Sequence, residues 1–418
     1  MLKTFKVVDL FCGAGGTSTG AVQAIERHGG QIELLAVNHW DIAIETHARN
    51  HPRAKHLCKS LDQVRPKDAV RGDVDLLVAS PECTHHSIAR GGKPINDQSR
   101  MSAFEVLRWV AELLPRQVLV ENVKEFETWG PIGVNSRPLK NRKGETFRAW
   151  MQTLESLGYR VDRRVLNAAN YGAATTRERM FVRAVRGRAP INWPAASHSP
   201  TGGADLFGST RPWRPARDII DWEIPSQSIF NRKKPLAPAT LKRIEKGLEK
   251  FGGRHAEPFL VMLRQHQKAF PLNGPPPPLE TSKENFGVCQ PFVIGQQSGA
   301  APRSTKCPIP TIATAGAISL VQPQILEYYG TGDTEPVSIP LRTITTKDRF
   351  GLVEFNAKAI DIRFRMLQPH ELSAAMGFPA GYQFAGNRQE QVKQIGNAVE
   401  VNQAEALITE ALYGRAVA

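Results

Sequence analysis

Several familiar signals are missing from this chain of 418 residues. No apolar run reaches the roughly 18 residues that a membrane-crossing helix needs. The start, Met1-Leu2-Lys3-Thr4-Phe5-Lys6, leads straight into an apolar segment without a signal-peptide core, so a cytoplasmic location is expected. The cysteines are few (Cys12, Cys58, Cys83, Cys289 and Cys307), odd in number and without Cys-x-x-Cys spacing. That argues against a disulfide framework and a zinc site, and for a reducing compartment. The turn after the first apolar segment lacks the Gly-Lys-Ser/Thr of a phosphate-binding loop and does not follow the Gly-x-Gly-x-x-Gly dinucleotide pattern. Acidic residues are in short supply: 40 against 54 basic ones, a formal net charge of +14. A polyanionic partner follows, nucleic acid first; an indifferent basic surface is the plain alternative.

What is present is an ordinary globular composition, 41% hydrophobic and 22% charged, with length for two or three domains. The chain is organised around Ala79-Ser80-Pro81-Glu82-Cys83-Thr84-His85-His86-Ser87. The run from Val74 to Ala79 reads as a buried strand, and Ser87 to Ser99 as a polar loop. Cys83 therefore stands at the carboxyl end of a strand, where open α/β sheets place their ligands. Taken alone, a cysteine there is more often a small buried apolar residue. His85 and His86 sit too close to Cys83 for ordinary metal-ligand spacing, so no metal is expected.

Taken in order, Lys6 to Phe11 reads as a strand, Cys12-Gly13-Ala14-Gly15-Gly16-Thr17 as a tight turn, and Ser18 to His28 as a helix. Glycines in such a turn let backbone approach a ligand closely. Gln31 to Asn38 is the second strand, ending in Asn38-His39-Trp40 where a polar residue often holds a ribose hydroxyl. Met101 to Leu114 reads as a helix with Phe104, Leu107, Ala111 and Leu114 on its apolar face. Gln117 to Val120 is a buried strand ending in Glu121-Asn122-Val123, and Thr146 to Leu157 a helix closed by Gly158. Val161 to Leu166 and Met180 to Val185 read as strands flanking Thr175-Thr176-Arg177-Glu178-Arg179. The alternation predicts an α/β fold with a doubly wound, mostly parallel sheet, whose strand ends carry Gly13, Gly15, Asn38, Cys83 and Glu121 into one crevice. Arg177 and Arg179 share a face if that segment is extended.

From about Gly187 the alternation stops and proline, glycine and serine become frequent. Thr240 to Phe251 is a helix with Lys242, Arg243, Lys246 and Lys250 off its apolar face, downstream of Arg232-Lys233-Lys234. These charges suit either a solvated face or phosphate contact. Residues 258–355 repeat internally: Pro258-Phe259-Leu260-Val261, Pro291-Phe292-Val293-Ile294 and Pro323-Gln324-Ile325-Leu326 recur at spacings of 33 and 32. The second and third units match at an offset of 32 in Pro308/Pro340, Thr311/Thr343, Thr314/Thr346 and Leu320/Leu352. Each unit reads as two strands joined by a polar loop, giving a small β-rich domain. The loops Gly295 to Lys306 and Tyr329 to Val337 suit base reading or plain connection. Helices return in the final section, one opened by Gln368-Pro369-His370-Glu371 and another by Gln394-Ile395-Gly396-Asn397-Ala398-Val399.

In this order the segments resemble the cytosine-C5 DNA methyltransferases, over about residues 4–185 and 360–412. Asp9-Leu10-Phe11-Cys12-Gly13-Ala14-Gly15-Gly16 is similar to that family's S-adenosylmethionine loop, and Glu121-Asn122-Val123 to its catalytic glutamate motif. Thr175-Thr176-Arg177-Glu178-Arg179 resembles its Gln-x-Arg-x-Arg motif, and Gly396-Asn397-Ala398-Val399 its closing Gly-Asn-Ser/Ala-Val motif. The resemblance implies a class I, Rossmann-like catalytic domain over 1–186 and a β-rich target-recognition domain over 187–358. Residues 359–418 would then form helices completing the first domain. It implies Cys83 as nucleophile on cytosine C6, Glu121 at N3 and the exocyclic amine, and Arg179, helped by Arg177, on the base oxygen or a phosphate. It implies S-adenosylmethionine held by Asp9, Leu10, Phe11, Gly13, Gly15, Gly16, Asn38, His39, Pro81, Asn397, Val399 and Asp62, with Ser60 competing for the last place. The implied partners are double-stranded DNA, whose base is flipped out of the stack, and a cognate restriction endonuclease, in a prokaryotic or phage-infected cell. No membrane and no metal are implied, and a monomer is expected. This chain departs from the family in Pro81-Glu82-Cys83-Thr84 for Pro-Pro-Cys-Gln, in Asn38 for an acid, and in Thr175 for glutamine. The competing readings are a non-catalytic DNA-binding relative, an RNA cytosine-C5 methyltransferase, and the same chemistry with a modified cofactor or base.

Overall fold

The structure is a computed structural model that describes residues 2–82, 101–131, 133, 139–205, 208–225, 227–228, 233–235 and 361–414, with the strand segments 292–295, 303–304, 318–321, 324–327, 334–336 and 350–356 between them. Cys83, the Ser87–Ser99 loop, the 240–251 helix and the first repeat at 258–288 lie outside the described residues. Two compact units are present: Met1–Ala173 with Arg177–Pro212 and Met376–Ala418, and Ala174–Thr176 with Trp213–Ala375. Among the described residues no helix is long and apolar enough to cross a membrane.

The first unit is built on seven strands: β1 (Thr4–Leu10), β2 (Gln31–Asn38), β3 (Lys55–Cys58), β4 (Leu76–Ala79), β5 (Gln117–Asn122), β6 (Tyr159–Asn167) and β7 (Glu178–Arg186). They are ordered β3-β2-β1-β4-β5-β7-β6. The first five run parallel, and β7 enters antiparallel between β5 and β6. The helices are α1 (Gly16–Arg27), α2 (Asp41–Asn50), α3 (Pro66–Ala69), α4 (Ser102–Leu113) and α5 (Glu145–Ser156). Successive strand residues point to opposite faces, so the apolar runs feed two cores. Val8, Leu10, Leu77, Val118 and Val120 pack with α4, α5 and the buried rings of Trp109, Trp129 and Trp150. Val7, Leu76, Val78 and Leu119 pack on the other side with Ala21, Ala24 and Ile25 of α1.

The predicted strands and the helices α1, α4 and α5 appear within a few residues of the expected bounds. The face of α4 differs. Ala103, Val106, Leu107, Trp109 and Val110 are buried, whereas Phe104 and Leu114 are 38% and 40% exposed. Both stripes satisfy helical spacing. The one carrying Trp109, Val106 and Val110 offers the larger close-packing surface, and the Trp150 indole donates to the Ala103 carbonyl at 2.8 Å to fix that face. Helix α2 and strand β3 were not anticipated from the sequence; α2 buries only Ala43, Thr46 and His47 and so shows little apolar periodicity.

The chain's last helices, α7 (Arg388–Asn397) and α8 (Val401–Tyr413), return to the first unit. Leu407, Ile408 and Ala404 of α8 complete the core on the α1 side. The approach is close: a Cβ at Gly20 would sit 2.7 Å from the Ala404 Cβ, and one at Gly16 would sit 2.2 Å from the Val399 carbonyl oxygen. Glu400 caps α8, accepting from Asn402 N at 3.1 Å and Gln403 N at 2.7 Å.

Strands β8 (His198–Ser199), β9 (Gly203–Asp205) and β10 (Gly208–Pro212) form a small separate sheet, and β11 (Gln227–Ser228) follows. In the second unit, β12 (Phe292–Gly295), β13 (Arg303–Ser304) and β14 (Ile318–Val321) form one sheet. Strands β15 (Gln324–Glu327), β16 (Thr334–Pro336), β17 (Phe350–Asn356) and β18 (Asp361–Met366) belong to another. The two groups of strands share one register. Val293 faces Leu320 and Arg303 in one unit, and Ile325 faces Leu352 and Glu335 in the next, each residue shifted by 32. Each unit thus has a third short strand, β13 or β16, inside what the sequence presents as a polar loop. The unit boundaries lie at 212/213 and 375/376, compared with the expected 186/187 and 358/359. Pairing of β18 with β17 over six residues keeps 361–366 in the second unit. There Arg365 forks onto the buried Glu371 at 2.8 and 2.9 Å, tying β18 to α6 (Pro369–Ala375).

Replacing Gly20 by valine should therefore overpack the α1–α8 contact and destabilise the folded chain by about 1–3 kcal/mol. Urea unfolding of G20V checks this, with a midpoint unchanged from the parent counting against the packing.

Candidate active site

The site begins with backbone. After β1 the chain turns through Phe11 at φ 58°, Gly13 at 53° and Gly15 at 94°. A phenylalanine in the left-handed region is strained, and such strain gathers at ligand sites. The turn is held from several sides. Cys12 N donates to the Val37 carbonyl at 3.2 Å and Gly15 N to the Cys12 carbonyl at 2.9 Å. Thr19 Oγ1 donates to the Gly15 carbonyl at 2.7 Å, and Tyr382 Oη to the Ala14 carbonyl at 2.5 Å.

Asp9 and Leu10 end β1 and are buried. One Asp9 oxygen accepts from Ser18 Oγ at 2.6 Å, while the other, Oδ1, is buried without a hydrogen-bond partner among the described residues. Burial pushes the Asp9 carboxyl up to about 7, against the smaller downward pull of Ser18. Burial likewise pushes the Cys12 thiol well up, with Asp9 adding to it.

Beneath the turn lies a histidine cluster that the sequence did not reveal. His47 Nδ1 is 2.9 Å from His56 Nε2, and His51 Nε2 is 3.0 Å from Thr19 Oγ1. Burial holds His47 well below the usual imidazole range and lowers His51 to about 4. The only hint in the sequence was the four-residue spacing of His47 and His51 on α2.

Asn38 ends β2, and its Oδ1 accepts from Trp40 N at 2.9 Å. His39 follows, with Nε2 3.8 Å from a carboxylate oxygen of Glu82. Asp62 lies exposed in the Leu61–Gln63 turn after β3. Pro81, beyond β4, is buried, and its carbonyl accepts from Asn122 Nδ2 at 3.2 Å. Asn122 thus ties the end of β5 to the segment that follows β4, a link visible in the sequence only as the middle of Glu121-Asn122-Val123.

Glu121 on β5 meets Arg179 on β7, Oε1 to Nε 3.0 Å, with both side chains largely buried. Arg177 goes elsewhere. It is buried and donates to the Gly396 carbonyl at 3.1 Å, so the two arginines do not share one face. Gly396 and Asn397 close α7, Asn397 is exposed, and Val399 is buried against α1. Thr175 is fully buried. Among the described residues no group of three metal-ligating side chains is placed to hold an ion.

The glycine-rich turn, the acidic pair-member at the end of β5, the alternating arginines and the closing Gly-Asn-Ala-Val thus converge in one unit. A family profile described as C-5 cytosine-specific DNA methylase matches residues 5–211 and 278–412. The chain belongs to this family.

Among relatives of these methylases, type II methyltransferase M.AgeI of Thalassovita gelatinovora is 25% identical over 441 aligned residues, covering 94% of this chain and 96% of the relative. M.Sau3AI of Staphylococcus aureus is 26% identical, covering 43% of each chain. M.FnuDI of Fusobacterium nucleatum is 31% identical, covering 42% of this chain and 45% of the relative. The chain spans less than half the length of these last two. Among solved structures, a Spodoptera frugiperda DNMT2 variant superposes with TM-score 0.54 at 15% identity, and Schizosaccharomyces pombe Dnmt2 with 0.53 at 15%, each over 98% of both chains. These likenesses carry the fold.

The buried carboxyl at Asp9 gives the methylase fold a measurable pH signature. A carboxyl raised to about 7 from 3.8 binds a proton more readily folded than unfolded. Its contribution favours the folded state at low pH and is lost as the pH rises through about 7. His51, lowered to about 4 from 6.5, works the opposite way, losing stability as the pH falls. The difference between parent and Asp9→Asn isolates the first effect. The stability of the parent relative to D9N should fall between pH 4 and pH 8; a flat difference in denaturant midpoints would remove Asp9 from the titration.

Proposed function

We propose that the chain is a DNA cytosine-5 methyltransferase acting on a flipped-out cytosine within a specific duplex sequence. The observation that carries the reading is the Glu121–Arg179 pair at 3.0 Å, set at adjacent strand ends of a chain belonging to the C-5 cytosine-specific DNA methylases. The first unit is read as the catalytic domain and the repeated second unit as the target-recognition domain.

S-adenosylmethionine, when bound, supplies an electrophilic methyl carbon. The residues present fit that molecule. The buried, unpartnered Asp9 Oδ1 suits its ammonium group, and the turn through Gly13 and Gly15 leaves backbone exposed to close approach. Phe11, Asn38, His39, Pro81, Asn397 and Val399, with Asp62 or Ser60 toward the adenine, are assigned to the same ligand.

Cytosine C5 is a poor nucleophile until C6 carries an added group. Cys83 supplies it: the thiolate bonds to C6, and C5 becomes enamine-like. Glu121 meets N3 and the exocyclic amine as electrons move into the ring. Arg179 fixes the Glu121 carboxylate and reaches the base oxygen or a nearby phosphate. Arg177 acts at one remove, holding the Gly396 carbonyl and hence the closing Gly-Asn-Ala-Val turn. After transfer to C5, loss of the C5 proton and elimination free Cys83. Asn122 holds the Pro81 carbonyl and so steadies the approach to the nucleophile. The ion pair also speaks against a non-catalytic relative, which has no use for a buried Glu121–Arg179 contact. By likeness to the type II relatives, the role is restriction–modification with an endonuclease partner.

The test is expression in a host lacking cytosine methylation, followed by sequencing that detects modified cytosine. The expected result is cytosine-5 methylation in one recurring short motif. Cys83→Ser should abolish it with DNA binding retained, and Glu121→Gln should lower kcat by about 10²- to 10⁴-fold. Unmodified DNA from soluble, DNA-binding protein would overturn the reading.

A further inference from the structure

The site lacks a carboxylate where the second strand ends. Asn38 offers an uncharged amide, and its one acceptor oxygen already accepts from Trp40 N at 2.9 Å. Asp41, next along, spends Oδ1 on Ile42 N at 2.8 Å at the start of α2. A ribose diol presents two hydroxyl donors and is best met by an acceptor with free lone pairs. Among the described residues at the end of β2, none provides one as a carboxylate with both oxygens free of the backbone.

Glu82 does. It follows β4, which lies beside β1 on the side opposite β2 in the parallel order β2-β1-β4. Strands two places apart are separated by roughly 9–10 Å, and the His39–Glu82 pair joins the segments that follow β2 and β4, on either side of β1. This is the place where the sheet's strand order reverses and where open α/β sheets bind ligands. The two side chains approach to 3.8 Å and are half-exposed, 56% for His39 and 44% for Glu82. That separation is too long for a hydrogen bond. An exposed ion pair of this kind is worth little by itself, so stabilisation of the fold gives no reason for it. It does leave both groups within reach of one hydroxyl.

We infer that Glu82 supplies the ribose-binding carboxylate that the end of β2 lacks, with His39 as the positioning residue that draws it across the crevice. The ligand chemistry is a vicinal diol on a ribonucleoside. The inference rests on the S-adenosylmethionine reading of the same crevice. It also gives the glutamate preceding Cys83 a use toward β2. A second consequence is discrimination: a carboxylate that accepts from a 2′-hydroxyl penalises a deoxyribose analogue, because the acceptor is then left unmet.

Calorimetry with S-adenosylhomocysteine and its 2′-deoxy analogue tests this without reference to turnover. The parent should bind the ribo ligand, and Glu82→Gln should bind it about ten- to a hundredfold more weakly, the range for a charged hydrogen bond lost. The same substitution should leave the 2′-deoxy analogue within about threefold. His39→Gln should weaken ribo binding by a smaller factor. The double variant H39E/E82Q, which moves the carboxylate to the end of β2, should recover most of it. Full ribo affinity in E82Q, or equal losses for both ligands, would overturn the assignment. Absence of binding by the parent itself would overturn the cofactor reading, and the assignment with it.

Discussion

Two missing side chains hold the first unit together. With only hydrogen at Gly16 and Gly20, α1 can lie against Val399 and α8 at distances where a Cβ would meet the Val399 carbonyl at 2.2 Å and Ala404 at 2.7 Å. Everything near the crevice depends on that approach. Helix α1 carries Ser18 to Asp9 and Thr19 to the Gly15 carbonyl. The segment before α8 presents the Gly396 carbonyl to Arg177. The two ends of the chain therefore define one wall of the site, and the dispersion and burial gained along α8 are what keep a strained turn in place.

On this wall the chain places groups that are costly to bury. Asp9 and Glu400 are both fully desolvated, and burial raises their carboxyls to about 7 and about 8. Glu400 is compensated by two backbone donors at the α8 N-terminus, which is ordinary capping. Asp9 has one hydroxyl and an oxygen left over. The contrast separates a buried carboxylate whose acceptors are met by the backbone from one with an acceptor left over.

Much of the fold was legible because parallel strands buried on both faces read as continuous apolar runs, and Gly13, Gly15 and Gly158 punctuate them. Helix α2 escaped notice because most of its surface faces solvent, and the α4 stripe was misplaced because Phe104 and Val106 belong to neighbouring faces that spacing alone does not rank. Among site residues, those at strand ends could be found one at a time. Their relations could not. The split between Arg177, which serves a backbone carbonyl, and Arg179, which serves Glu121, depends on where β7 begins. The meeting of His39 with Glu82 depends on β2 and β4 flanking the same strand, which no local pattern records.

The register of the second unit has an architectural meaning. Because β12–β14 and β15–β17 pair in the same way with every partner displaced by 32, neither repeat pairs a strand with the other among the described residues, and only β17 reaches outside, to β18. A block of 32 codons could be inserted, lost or exchanged by in-frame recombination without breaking a single strand pairing in its neighbour. A surface assembled from such interchangeable blocks can acquire a new shape in one genetic event, while the seven-stranded sheet of the other unit inherits no change in sequence at all.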